Sequence, residues 1–271
     1  VTYESIQVTP LTPTIGGVIS GVDLTRPLSD RQVADIHGAL ADRLCIFFRD
    51  QPIGHEDHKR FANYFGGIHI AESTAPWRAP GHPEVTIIHA DKDSTFVAGE
   101  DWHSDMSCDP EPPLGSILYM HTVPPYGGDT VFSNMYAAYD ALSDRMKAHL
   151  DGLTAMHDSA VGFGGITPEG MKLPRHAHPV IRTHPVTGRK CLYVNKGFTT
   201  AIEGLSAAES KALLDYLFVH VQHPMFQCRF AWAPHSIAFW DNRCAQHSAI
   251  WDYFPNTRSG FRVQVLGDTP H

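Results

Sequence analysis

The sequence predicts a mixed α/β, mainly β fold: a double-stranded β-helix (jelly-roll) core flanked by helices. Two observations predict it. The clear helical patterns come early, and the segments that follow read as short strands with inserted loops. A third is the absence of an internal repeat or linker in 271 residues, which makes residues 1–271 a single domain in this reading.

Residues 5–25 alternate and carry Gly-rich turns, which predicts two short strands. Ser29 and Gln32 have capping-box spacing. The helix they open places Val33, Ile36, Leu40 and Leu44 on one face. Cys45-Ile46-Phe47-Phe48 is a short apolar run, read as a core strand. A second helix is expected over 55–65 with Phe61, Tyr64 and Phe65 inward. Residues 69–82 and 91–101 read as loops. Strands at 116–120 and 130–133 flank the Gly127-Gly128 turn, and helix follows over 135–150. Residues 157–179 are rich in Gly, Pro and His without periodicity, so a long loop over the site is expected there. Strands at 179–184 and 190–195 flank Thr187-Gly188. Ser206 and Glu209 form another capping box, whose helix carries Leu213, Leu214, Leu217 and Val221. Segments 226–232, 236–240 and 260–266 read as closing strands.

A net charge of −8 with no basic block argues against nucleic acid as a partner. No apolar run reaches membrane-spanning length and no signal-peptide pattern opens the sequence. No membrane partner and a cytoplasmic location are therefore expected. The five cysteines, Cys45, Cys108, Cys191, Cys228 and Cys244, are scattered and read as reduced thiols.

The residues that carry most chemistry are His103 and Asp105, with His247 far downstream. Two imidazoles and one carboxylate can hold a ferrous ion on one face and leave the opposite face open. On a strand, side chains at i and i+2 share a side. His103 and Asp105 can thus reach one ion while Ser104 points away, and a distant strand must return the third ligand. The triplet alone says little among 18 histidines. His55-Glu56-Asp57 opens a helical pattern, where i and i+2 diverge, and His89-Ala90-Asp91 follows an apolar run. His176, His178 and His184 lie in polar or Pro-rich segments and are expected to be solvated.

Several further blocks accompany the triplet in order. They include the Ile15–Leu24 segment, Phe47-Phe48-Arg49-Asp50-Gln51, Phe61-Ala62-Asn63-Tyr64-Phe65-Gly66 and Trp102-His103-Ser104-Asp105. Then come Gly127-Gly128-Asp129-Thr130, Arg182-Thr183-His184-Pro185, the Tyr193–Thr200 block, and Trp240-Asp241-Asn242-Arg243 through His247 to Arg262. Together they resemble the taurine dioxygenase/TfdA-like family of Fe(II)- and 2-oxoglutarate-dependent dioxygenases, over nearly the whole length.

The resemblance implies that His103, Asp105 and His247 bind Fe(II) and are the catalytic centre. Three positions of the ion stay open: two for 2-oxoglutarate and one for O2 once substrate displaces a water. Arg258, eleven residues after His247, matches the arginine that forks onto the distal carboxylate of 2-oxoglutarate. Thr130 matches the hydroxyl that assists it. Arg262 lies at i+4 from Arg258, on the same side of a strand. It matches the arginine that holds the sulfonate in taurine dioxygenases. Plainer readings stand beside these: a surface arginine for Arg258, a strand residue for Thr130, a protein carboxylate as partner for Arg262. Phe198 matches a pocket-lining position and reads equally as core. Trp240 and Asp241 read as structural strand-end residues, with Asn242 and Arg243 bracing the turn.

The family pattern breaks in the pocket. Ala71 and Thr74 stand where taurine dioxygenases carry His and Tyr, and Gly99 where they carry Asn. The pocket is therefore expected to demand an anion but accept a bulkier or less amine-like body. Gly99–His103 and His157-Asp158-Ser159-Ala160 also look like aryloxyalkanoate-degrading relatives. The expected reaction hydroxylates a C–H of a small organic anion, a sulfonate, aryloxyalkanoate or related carboxylate. Succinate and CO2 are co-products, with release of sulfite or an alcohol or phenol where the product collapses. Alternatives are taurine dioxygenase proper, an alkylsulfatase-type dioxygenase, a hydroxylase of an amino acid derivative, a zinc hydrolase, or a non-catalytic jelly roll that binds 2-oxoglutarate or another anion. Relatives of this kind lead to the expectation of a homodimer or homotetramer.

Overall fold

The computed structural model describes residues 2–97, 99–163, 165, 170 and 173–271. The N-terminal part runs β1 (Gln7–Pro10), β2 (Gly17–Ser20), α1 (Asp30–Arg43), β3 (Cys45–Phe48), α2 (His55–Asn63), β4 (Ile68–His69), β5 (Arg78–Ala79) and β6 (His82–Ala90). The middle contributes β7 (Gly115–Thr122), β8 (Thr130–Asn134), α3 (Met135–Asp140), α4 (Asp144–Leu150), β9 (Thr154–Asp158), α5 (Ala160–Phe163), β10 (Arg175–Pro179), β11 (Ile181–Thr183), β12 (Lys190–Leu192) and β13 (Thr199–Ile202). The chain closes with α6 (Ala207–His220), β14 (Gln227–Phe230), β15 (Ser236–Asp241), β16 (Ala245–Ala249) and β17 (Arg258–Val265). The result is the mixed, mainly β fold expected.

One sheet orders its strands β1-β2-β3-β15-β7-β17-β6-β5, with β4 also on β17. A second sheet has the order β14-β8-β16, and β10-β9-β13 and β11-β12 form two smaller ones. Period-two alternation in the large sheet separates two cores. Ile46, Phe48, Ile117, Tyr119, Ile237, Phe239, Val263 and Val265 pack with Ile36, Leu40, Phe61 and Phe65 of the α1/α2 region. Cys45, Phe47, Leu118, Met120, Ala238 and Trp240 face the other way, onto Phe132, Phe230 and Ala245 of the second sheet. Both capping boxes form, at Ser29/Gln32 and Ser206/Glu209. They satisfy amides that the first helical turn leaves unpaired.

The differences from the expected elements have local causes. The 135–150 helix divides into α3 and α4, each capped anew, by Asn134 and Ser143. The 69–82 loop contains a 3-10 turn at Glu72–Trp77 and the β4 and β5 strands. The 157–179 loop begins as the end of β9, continues as α5, and ends as β10, which pairs with β9 from Arg175↔Asp158 to Pro179↔Thr154. Residues 164, 166–169 and 171–172 of that expected loop lie outside the described residues. Among the described residues, no helix is long and apolar enough to cross a membrane.

Candidate metal centre

His103 and His247 are brought together by backbone pairing. Each amide donates to the other's carbonyl, at 3.0 and 2.9 Å, in an isolated antiparallel bridge. The expected strand through Asp105 does not form. After the single bridge at His103 the chain enters a turn over residues 105–108, and that turn swings Asp105 back toward the imidazoles. One ligand atom from each of His103, Asp105 and His247 lies within 4.8 Å of the others.

The protonation states suit a cation. His103 Nδ1 faces the Asp101 carbonyl at 2.7 Å. A carbonyl only accepts, so Nδ1 carries a proton, and Nε2, 3.4 Å from Asp105 Oδ1, is the nitrogen turned toward the other two groups. Burial, then the neighbouring His103, hold the His247 pKa well below the usual histidine range, leaving a neutral imidazole. Its Nδ1 is buried without a hydrogen-bond partner. Burial disfavours ionised Asp105, but Arg262 and the two histidines outweigh it and hold its pKa well below the usual carboxylate range. Two neutral nitrogens and one anionic oxygen are what Fe(II) takes in this ligand class.

Behind Asp105 lies a polar network that sequence reasoning missed. Ser116 Oγ donates to Asp105 Oδ2 at 2.6 Å and accepts from Asn242 Nδ2 and Gln264 Nε2 at 3.0 and 3.1 Å. Asn242 Oδ1 accepts from the Asp105 amide and from Trp240 Nε1. Such partners fix the orientation of a metal-binding carboxylate. The available signal was period two along β17, since Gln264 follows Arg258 and Arg262 on the same face.

Gly99 and Gly197 press on His103. At Gly99, with φ of +88°, a Cβ would stand 2.9 Å from His103 Cε1. At Gly197 it would stand 2.7 Å from His103 Cβ. Gly99 is therefore a backbone wall of the site, and a side chain there collides with the imidazole.

A cavity of about 430 Å³ opens over the three residues and is also lined by Gly99, Thr130, Phe198, Arg258 and Arg262. Buried Arg258 donates Nε to the Gly128 carbonyl at 3.1 Å and lies over the Trp232 ring. Its Nη2 is buried without a partner. A Cβ on Gly128 would come within 3.3 Å of Arg258 Cδ, so the Gly-Gly turn admits the arginine. Thr130 Oγ1 accepts from Trp232 Nε1 at 3.0 Å, which leaves its O–H free to donate. Arg262 donates Nη1 to Asp105 Oδ1 at 2.9 Å. A protein carboxylate thus occupies one of its N–H groups, while its buried Nε has no partner among the described residues. Phe198 serves as both core and wall, packed with Ala71, Met106 and Cys108. Thr74 lines a neighbouring cavity of about 300 Å³, while Ala71 is packed in the core beneath it.

His184, Asp241 and Cys244 form a second tight cluster, equally buried. His184 and His178 are each only 1% exposed, against the expectation of solvated histidines. Polar partners supplied by distant segments permit that burial: Asp241 for His184 and the Asp109 carbonyl for His178.

A mainly β fold carrying two imidazoles, a carboxylate and two inward arginines defines the class of non-haem iron, 2-oxoglutarate-dependent dioxygenases. The model of the taurine catabolism dioxygenase TauD, TfdA family matches residues 7–264, and the chain belongs to that family. It is 32% identical to an alpha-ketoglutarate-dependent sulfonate dioxygenase of Saccharomyces cerevisiae, over 98% of this chain and 68% of the relative. It is 31% identical to the (S)-phenoxypropionate/alpha-ketoglutarate-dioxygenase of Sphingobium herbicidovorans, over 97% and 96%. The solved structure of a taurine dioxygenase from Burkholderia xenovorans is similar at a TM-score of 0.87, with 39% identity over 98% of this chain and 91% of that one. The protein is thus a dioxygenase that uses Fe(II), 2-oxoglutarate and O2.

Proposed function

We propose that His103, Asp105 and His247 hold the iron, that Arg258 and Thr130 hold 2-oxoglutarate, and that Arg262 receives the anionic head of a small organic substrate. The observation that carries this reading is the pair of inward arginines on one face of β17, beside the His/Asp/His set. Among the described residues, each keeps a buried guanidinium nitrogen without a partner. Buried donors left unpaired cost stability unless a ligand uses them, and a guanidinium fork matches carboxylate and sulfonate oxygens. The large sheet and the β14-β8-β16 sheet are the two walls of a jelly roll, and residues 1–271 act as one domain. The five free, buried cysteines support a reducing, cytoplasmic setting.

Bound Fe(II) supplies the oxidising chemistry that couples 2-oxoglutarate breakdown to oxidation of a substrate C–H. The chain supplies position and shielding. Arg258 and Thr130 orient the cosubstrate by its distal end. Arg262 fixes the substrate head, so the carbon beside it lies over the metal face. Ser116, Asn242 and Gln264 keep Asp105 oriented, while Arg262 keeps it ionised. Trp240, with its ring 4.5 Å from that of His247, and Phe132 exclude water behind the imidazole. The anionic substrates in the names of the relatives, a sulfonate and an aryloxypropionate, support the same class here. Ala71, Thr74 and Gly99 leave the pocket without amine-binding side chains at those places, which favours a body other than taurine's.

The test is an anaerobic titration with Fe(II) and 2-oxoglutarate, read by the visible charge-transfer absorption of the complex. Arg258→Ala is expected to raise the cosubstrate requirement by about a hundredfold. Arg262→Gln should abolish the spectral change on adding an organic anion, read at saturating Fe(II) and 2-oxoglutarate because Arg262 also pairs with Asp105. An Arg258→Ala variant that titrates like wild type would overturn the assignment.

A further inference from the structure

The cavity over the metal and the neighbouring cavity of about 300 Å³ share Ile88, Phe96, Val97, Phe163, Arg258 and Arg262 in their walls. Each falls within the range of small-molecule pockets, roughly 300–1,000 Å³. An anion seated on Arg262 therefore has two directions in which to extend. The first leads to the metal, where the reacting carbon and 2-oxoglutarate must lie. The second adds Ile87 and Trp77 to the shared Ile88, Phe96, Val97 and Phe163, which gives it an apolar surface. Much of the polarity around it is already engaged. Thr74 donates its hydroxyl to the Ala71 carbonyl, His89 meets Ser259 and Asp91, and Asp93 is paired with Lys92.

Aromatic rings join the two spaces. Trp77 and Phe163 have centroids 6.5 Å apart, Phe163 and Phe198 6.1 Å, and Phe198 and His103 6.1 Å. Phe163 lines both cavities, and Trp77 lines the second alone. Thr74, a small side chain, leaves the space in front of Trp77 open.

We infer that the second cavity takes the apolar body of the primary substrate, with Trp77 and Phe163 deciding which bodies are accepted. The inference rests on the reading of Arg262 as the head-group receptor. The ligand class is an organic anion whose oxidisable carbon adjoins the head and whose far end is aryl or branched alkyl. Ring faces and methyl groups bind such a body by burial and offset stacking. They offer nothing to an ammonium beyond a cation–π contact, and the anionic head already occupies the arginines.

The experiment compares two sulfonates with the same head, one with a short straight alkyl chain and one ending in a phenyl ring. Binding to the anaerobic Fe(II)–2-oxoglutarate enzyme is read from the change in visible absorption. Succinate formation is followed separately. Trp77→Ala is expected to weaken the phenyl-bearing anion by about tenfold or more while the alkyl anion changes less than about twofold. Trp77→Phe should recover most of the loss. Phe163→Leu should narrow the preference between the two anions, read at saturating 2-oxoglutarate because Phe163 also lines the cavity over the metal. Equal losses for both anions in Trp77→Ala, or no loss for either, would overturn the inference while Arg262→Gln still weakens both. If Arg262→Gln weakens neither, or neither anion binds the wild type, the head-group reading fails and this one fails with it.

Discussion

Two buried clusters in this protein have nearly the same composition and opposite destinies. His103, Asp105 and His247 form one; His184, Asp241 and Cys244 form the other, and in each the potential ligand atoms lie within 4.8 Å of one another. The difference is what remains unspent. In the second cluster His184 Nδ1 accepts from the amides of Val186 and Thr187, at 3.2 Å each. The proton must then sit on Nε2, which donates to Asp241 at 3.0 Å, and no lone pair is left for a metal. Asp241 also takes Nε and Nη2 of Arg243 at 2.9 and 2.7 Å. Burial and nearby Asp241 push the Cys244 thiol pKa well above its usual range, so it stays protonated. The first cluster keeps His103 Nε2 turned toward the other two groups, a neutral His247 and an ionised Asp105. Surplus donor capacity, more than residue type, separates a metal centre from a polar knot.

The sharpest way to break this comparison is to remove a ligand from each cluster. His103→Ala is expected to weaken Fe(II) binding by about a thousandfold or more, with little change in the unfolding midpoint of the metal-free protein. His184→Ala should leave Fe(II) affinity within about threefold. Isothermal titration of the two variants decides it, and loss of iron from the His184 variant would erase the distinction drawn here. The next largest effect is on stability. Arg243→Met removes the guanidinium that pairs with the buried Asp241 carboxylate and leaves the His184 N–H to hydrogen-bond it. Breaking such a pair costs about 3–5 kcal/mol, read from urea unfolding, while iron binding by the folded fraction stays unchanged. A loss below about 1 kcal/mol would mean that solvent reaches Asp241.

Much of this contrast was beyond the sequence. The arginines were legible from strand period, since Arg258 and Arg262 share a face of β17 whatever surrounds them, whereas the grouping of His103, Asp105 and His247 rested on the family resemblance, because the strand expected through Asp105 does not form. The fold class was legible from capped helices and from strands such as Cys45–Phe48. The polar strands were not. In β16, Ala-Gln-His-Ser-Ala reads as a hydrophilic loop, yet its first four residues are buried. In β9 the buried positions are Ala155 and His157. A buried polar strand shows no apolar alternation. Its groups are satisfied by partners far along the chain, as Gln246 donates to the Val194 carbonyl. For the same reason His184 looked solvated, its partner Asp241 lying 57 residues away, and the Ser116–Gln264 link behind Asp105 spans 148 residues.

The smallest predicted effect concerns a third buried histidine and sharpens the comparison through pH. His157 is fully buried, its Nδ1 3.0 Å from Ser107 Oγ, with the rings of His178 and Tyr193 packed against it at 5.5 and 5.7 Å. Burial, aided by His178 and His176, pushes its pKa down to about 3. The unfolded chain binds that proton near pH 6.5, so below this value the unfolded state holds more protons than the folded one. Stability is then full above the unfolded pKa and falls as pH drops from about 6.5 toward 3, by about 2 kcal/mol at pH 5 from this group alone. Asp241, held well below the usual carboxylate range by Arg243 and His184 against the cost of its burial, acts in a different window. Its stabilisation is present above about pH 4 and is lost only below it. Urea midpoints measured from pH 7 to 5 should therefore decline less steeply in His157→Gln than in wild type, even though the variant starts less stable. Asp241→Asn should retain the wild-type slope over that range. Equal slopes for His157→Gln and wild type would mean that His157 is protonated in the folded protein, and that the Ser107 contact holds a charged ring.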